Sequence, residues 1–216
     1  MKIALGVLTA ERPLEQTLTR TLASIGEWDG PKLVWEDANK IGAFKSWLNM
    51  TERLLQEHID CDAYFLVEDD MLFCRDLRAF LDVWPSDPKT IAFCSPYSPT
   101  HYKKPQIGWH LENLGWKTVS ACSWLMPRET LIRVVDTFGK LRLRPEPTPN
   151  TDRMVCKWAF DQKLDQWFHT PSLGHHIGMG NAALGQQKRH YTRIDVDFPG
   201  EEISCLKFRQ VEQPAQ

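Results

Sequence analysis

The stretch Tyr64–Phe65–Leu66–Val67–Glu68–Asp69–Asp70–Met71–Leu72 carries the strongest structural signal in the chain. Four apolar or aromatic residues run directly into three carboxylates. An uninterrupted apolar run of this length suits a strand buried on both faces of a parallel sheet. A buried charge without a partner is costly, so the carboxylates are expected just past the strand, at the carboxyl edge of the sheet. Open α/β sheets bind their ligands at that edge. Adjacent carboxylates there offer hard oxygen donors to Mg²⁺ or Mn²⁺. An ion so held can bridge a diphosphate and neutralise a departing group. The competing reading is a charged turn whose Asp residues cap the next helix.

Residues 3–8 form a second continuous apolar run and predict a first buried strand. Pro13 then opens a helix with Leu14, Leu18, Leu22 and Ile25 on one stripe. A turn at Asp29, Gly30 and Pro31 leads into a short strand over 32–35, which ends at Glu36 and Asp37. Gly42 precedes a helix with Phe44, Trp47, Leu48, Leu54 and Leu55 on one side. After the acidic triplet, a helix over 76–84 turns Leu77, Phe80, Leu81 and Trp84 inward. This alternation predicts a single α/β domain with a mixed, mainly parallel sheet flanked by helices.

The second half is less regular. Strands are expected over 90–94 and 119–126, and a helix carries Leu131, Val135 and Phe138. Pro145, Pro147 and Pro149 mark a loop, and a helix over 152–167 follows. The organisation expected is a domain over 1–185 and a C-terminal tail or lid over 186–216.

Bulk composition narrows the function. At 216 residues and 42% hydrophobic content, one domain with a full core is expected. A net charge of -2 and a pI near 6.4 give no reason to expect nucleic acid as a partner. Cys61, Cys74, Cys94, Cys122, Cys156 and Cys205 are scattered singly, which argues against a zinc ribbon or a thioredoxin-type site. Most lie in apolar stretches, where free Cys is a small core residue. No window has the length of a transmembrane helix, so a cytoplasmic protein without an integral membrane segment is expected.

A second informative stretch is Thr170–Pro171–Ser172–Leu173–Gly174–His175–His176–Ile177–Gly178–Met179–Gly180–Asn181. Its glycines allow backbone to approach a ligand closely. Adjacent residues in an extended chain point in opposite directions, so one of the two histidines is expected to face a site. A structural role for both is the alternative.

Together these residues resemble the GT-A fold glycosyltransferases. Leu8–Thr9–Ala10–Glu11–Arg12–Pro13 resembles the end of their first strand, where base and ribose are held. Glu68–Asp69–Asp70 resembles their DXD motif in its EDD form. The segment from Pro171 to Gly178 resembles their late P-S-L-x-x-H-x-G segment, whose His is a metal ligand in some families and aligns with His176. The resemblance covers residues 3–181 and implies a metal-dependent transfer of a sugar from a nucleotide-diphosphate donor, a UDP-sugar first, to an acceptor hydroxyl. The acceptor class stays open among glycans, glycolipids, proteins and small molecules.

The resemblance also implies roles. Asp70 and His176 would hold Mn²⁺ or Mg²⁺, supported by Glu68 and Asp69. Thr9, Arg12 and Asp37 would hold the nucleoside, and Lys188 and Arg189 would close over the diphosphate. Trp109, Glu112 and Trp116, in an aromatic-rich segment, would line the acceptor site. Asp152 would be the general base, with Asp161 as second candidate. Against these stand ordinary readings: Asp152 as a helix cap, Asp161 as a solvated residue, Asp37 as a turn residue, and the tryptophans as packing. A nucleotidyltransferase on a related fold and a catalytically silent nucleotide- or sugar-binding domain are the alternative functions.

Overall fold

A computed structural model of the chain describes residues 1–10, 16–99, 102, 104–112, 122–143, 150–177 and 197–209. The first half contains β1 (Ile3–Thr9), α1 (Thr17–Ile25), β2 (Lys32–Glu36), α2 (Ala43–Glu57) and β3 (Ala63–Glu68). After the acidic turn come β4 (Met71–Phe73), α3 (Leu77–Phe80), β5 (Ile91–Ser95) and β6 (Gly108–Leu111). Then follow β7 (Ser123–Pro127), α4 (Arg128–Phe138), α5 (Thr151–Asp161), β8 (Asp165–Thr170) and β9 (Gly174–His176).

The two continuous apolar runs, β1 and β3, are central strands of a seven-stranded sheet ordered β2-β1-β3-β7-β5-β8-β6. Strands β2, β1, β3, β5 and β8 point one way, and β7 and β6 point the other. The sheet is therefore mixed and mainly parallel, as the sequence predicts. Side chains alternate between two cores. Ala4, Leu8, Tyr64, Leu66 and Trp124 face one core, with α2, α4 and α5 on it. Leu5, Val7, Phe65, Val67 and Leu125 face the other, with α1 and α3. Trp124 anchors the first core, edge-on to Trp47 and stacked on Phe93. Burying a side chain of this size stabilises the fold by about 2–3 kcal/mol. Helix α2 lies so close to β1 that a Cβ at Gly6 would sit 2.5 Å from the Leu54 Cδ1.

The connectivity creates the site. From β1 the chain moves outward to β2, then returns past β1 to β3. The order reverses between β1 and β3, which makes the gap at their carboxyl ends a topological switch point, where doubly wound sheets bind nucleotides.

Several expectations need correction. The helix predicted over 152–167 is two elements: α5 stops at Asp161, Lys163 turns the chain with φ 57°, and β8 begins at Asp165. Buried Gln166 fixes the reversal, its Nε2 donating to the Cys156 carbonyl at 3.2 Å. The helix predicted over 76–84 shortens to α3, although Leu77, Phe80 and Leu81 are buried as expected. Strands β4, β6 and β9 were not anticipated. Within the C-terminal 186–216, residues 197–209 pack on the domain: Arg75 N–H donates to Ile203 at 2.9 Å, Cys205 N–H donates to Arg75 at 2.8 Å, and Cys205 is fully buried. All six cysteines are free thiols. Among the described residues no helix is long and apolar enough to cross a membrane.

Candidate active site

Glu68 is the last residue of β3, and Asp69 and Asp70 form the turn that follows. At the switch point the Thr9 hydroxyl donates to the Asp69 carboxylate at 2.6 Å, joining the ends of β1 and β3. The Asp69 N–H donates to the Leu8 carbonyl at 3.0 Å. Asp37 completes this side of the crevice. Its own N–H donates to the Thr9 carbonyl at 2.9 Å. Its two carboxylate oxygens accept from the N–H groups of Ile41 at 2.9 Å and Gly42 at 3.1 Å, which orders the entry to α2.

The turn is braced by α1, a role that sequence reading missed. The Thr21 hydroxyl donates to the Asp69 carbonyl at 2.7 Å and accepts from the Met71 N–H at 3.2 Å. One helical turn on, the Ser24 hydroxyl accepts from the Phe73 N–H at 3.1 Å. These hydroxyls satisfy one edge of β4. Its other edge pairs with β9, with Met71 opposite His176 and Leu72 opposite His175. The Ile177 N–H then donates to the Asp70 carbonyl at 2.8 Å. The two informative stretches of sequence therefore form one small antiparallel sheet.

That ladder sorts the histidines. His176 places Nε2 3.2 Å from the Asp70 Oδ2. His175 turns away and stacks on Phe198, ring centroids 5.5 Å apart. Glu68, Cys122 and His176 each offer one donor atom, and the three atoms lie within 4.8 Å of one another. On a tetrahedral ion with bonds of about 2.0–2.3 Å two donors lie roughly 3.3–3.8 Å apart, so these three side chains close by about 1 Å to share one ion. With Asp70 adjoining His176, the donor set fits a divalent cation. No sequence signal marks Cys122 beyond its place in the strand expected over 119–126.

The other expected residues divide clearly. Asp152 lies in the first turn of α5, which runs down the sheet into β8, so Asp152 is at the same carboxyl edge as Glu68. It does not cap the helix: Asn150 does, its Oδ1 accepting from the Arg153 N–H at 3.0 Å. Asp161 ends α5 at the opposite edge, ion-paired with Lys157. Glu112 is buried against Lys104 at the β6 edge, and Trp109 packs on Phe80 and His169. The structure thus joins Thr9 to Asp37 and Asp69, and His176 to Asp70 and Glu68. Arg12, Trp116, Lys188 and Arg189 lie outside the described residues.

A mixed, mainly parallel sheet flanked by helices, with its switch point between β1 and β3, has the architecture of the GT-A type of α/β fold. No family model and no curated protein matches the sequence. Solved structures do match. A glycosyltransferase involved in the glycosylation of the major capsid of PBCV-1 is 10% identical, with TM-score 0.53, over 81% of this chain and 94% of its own. A197 from STIV is 14% identical, with TM-score 0.54, over 82% of this chain and 85% of its own. Both likenesses are of fold.

Proposed function

We propose that the chain is a metal-dependent glycosyltransferase that moves a sugar from a nucleotide diphosphate, a UDP-sugar first, to an acceptor hydroxyl. The observation that carries this reading is the meeting of Asp70 and His176 beside Glu68, at the switch point where Thr9 binds Asp69. The architecture supports it, since one structure that superposes on nearly its whole length is a glycosyltransferase.

In this reading Asp70, Glu68 and His176 hold the cation, which when bound offsets the charge developing on the departing diphosphate. Thr9, Asp37 and Asp69 orient the nucleoside at the ends of β1 and β2. Asp69 enters already oriented, because Thr9 and Thr21 fix its side chain and its carbonyl. Asp152 takes the proton from the acceptor hydroxyl as the new bond forms.

The test is a panel of sugar nucleotides incubated with the chain and Mn²⁺ or Mg²⁺ but no acceptor. One donor is expected to release nucleoside diphosphate in a manner abolished by EDTA. A panel with no release and no binding contradicts the reading. Formation of a sugar nucleotide from a sugar phosphate and a nucleoside triphosphate replaces it with a nucleotidyltransferase.

A further inference from the structure

Cys122 stands level with Glu68, immediately before β7. Its carbonyl accepts the Glu68 N–H at 3.0 Å, and Val67 and Ser123 pair in the adjoining register. Directly opposed residues on neighbouring strands project to the same face. Glu68 and Cys122 therefore share a side of the sheet, and β9 brings His176 to it. Three separate parts of the chain deliver a carboxylate oxygen, a sulfur and an imidazole nitrogen to within 4.8 Å of one another. All three residues are partly buried. The other five cysteines are buried.

An acidic triplet alone is an all-oxygen site suited to Mg²⁺ or Mn²⁺. A site with imidazole and thiolate suits a softer ion, because sulfur and nitrogen ligands select Zn²⁺ and its neighbours in the transition series. We infer that Cys122 donates its sulfur to the cation held by Glu68 and His176, so that the site takes Zn²⁺ and Co²⁺ in preference to Mg²⁺. This rests on the same side chains as the cation site of the transferase reading, and not on the transfer reaction itself.

Cobalt(II), titrated into the full chain, is the probe. A thiolate on Co²⁺ produces an intense near-ultraviolet charge-transfer band, whereas oxygen and nitrogen donors give weak visible bands. The wild-type chain shows the band. Cys122→Ser loses it but keeps weak visible bands, and its Zn²⁺ affinity falls at least about tenfold while its Mg²⁺ affinity holds. Cys122→Ala, checked by circular dichroism, repeats the comparison should the serine variant fold poorly. In the wild-type chain, Zn²⁺ protects Cys122 from alkylation, read by peptide mass spectrometry. The inference is overturned by a wild-type spectrum without the band, by a band that survives in the variants, or by alkylation indifferent to Zn²⁺. UDP binding is read separately. A cobalt–thiolate band in a chain that ignores UDP keeps the metal site and removes the transferase reading, and metal-dependent UDP binding without the band does the reverse.

Discussion

His176 Nε2 and Asp70 Oδ2 lie 3.2 Å apart, held there because β9 pairs with β4 directly after the acidic turn. Neighbouring His175 is stacked on Phe198. His176→Ala is therefore expected to raise the metal concentration needed for UDP binding by at least about tenfold, and His175→Ala to leave it nearly unchanged. Metal titrations of both variants, read by UDP calorimetry, check this. Equal effects would mean that the ladder does not separate the two side chains.

Much of this arrangement was legible in the sequence. Continuous apolar runs at β1 and β3, each of strand length, suit strands covered on both faces, and the sheet and the edge carrying Glu68, Asp69 and Asp70 follow from them. What was not legible came from partners distant in the chain. β4 is only Met71–Phe73, too short for periodicity to show, and its existence depends on Thr21, Ser24 and β9. The split between α5 and β8 carries no glycine or proline, since Lys163 itself adopts the positive φ. Cys122 reaches the site only because β7 runs antiparallel to β3.

Thr21 is the test of how far the acidic turn depends on α1. Its hydroxyl serves both the Asp69 carbonyl and the Met71 N–H and is fully buried. Thr21→Val keeps the shape and removes both bonds, so a loss of about 1–3 kcal/mol of stability is expected. Metal-dependent UDP affinity is expected to drop as well, and Thr21→Ser to restore it. Chemical denaturation and calorimetry read the two effects. Unchanged affinity in a destabilised Thr21→Val would limit Thr21 to a packing role.

Asp152 and Asn150 separate chemistry from capping on one helix turn. Asn150→Ala removes the cap and is expected to cost about 1 kcal/mol with turnover unchanged. Asp152→Asn keeps a polar side chain but cannot accept a proton. It is expected to fold and bind UDP normally and to transfer sugar at least about a hundredfold more slowly. Steady-state transfer assays decide. Wild-type turnover in Asp152→Asn would remove Asp152 from the mechanism.

Buried His169 is expected to make the fold sensitive to acid. Burial pushes its pKa down to about 4 from an ordinary 6.5, while its Nδ1 lies 2.7 Å from the Pro171 carbonyl. Between those two values the unfolded chain binds a proton that the folded chain refuses. The contribution of His169 is therefore expected to be complete above pH 6.5 and to be lost as the pH falls toward 4, by roughly 3 kcal/mol in all. His169→Phe retains an aromatic ring against Phe80 and Trp109 and is expected to flatten that decline. Thermal melts across the window check the slope. An unaltered slope would place the acid sensitivity elsewhere.

In the proposed reading the carboxylates after β3 hold a nucleotide diphosphate through a divalent ion. Calorimetric titration of UDP into the chain, with Mn²⁺ and then with EDTA, tests it most directly, with Asp70→Ala run alongside. Saturable binding that requires Mn²⁺ is expected in the wild type, and its loss in a normally folded Asp70→Ala. UDP affinity that is indifferent to the metal, or intact in Asp70→Ala with the metal present, would contradict it.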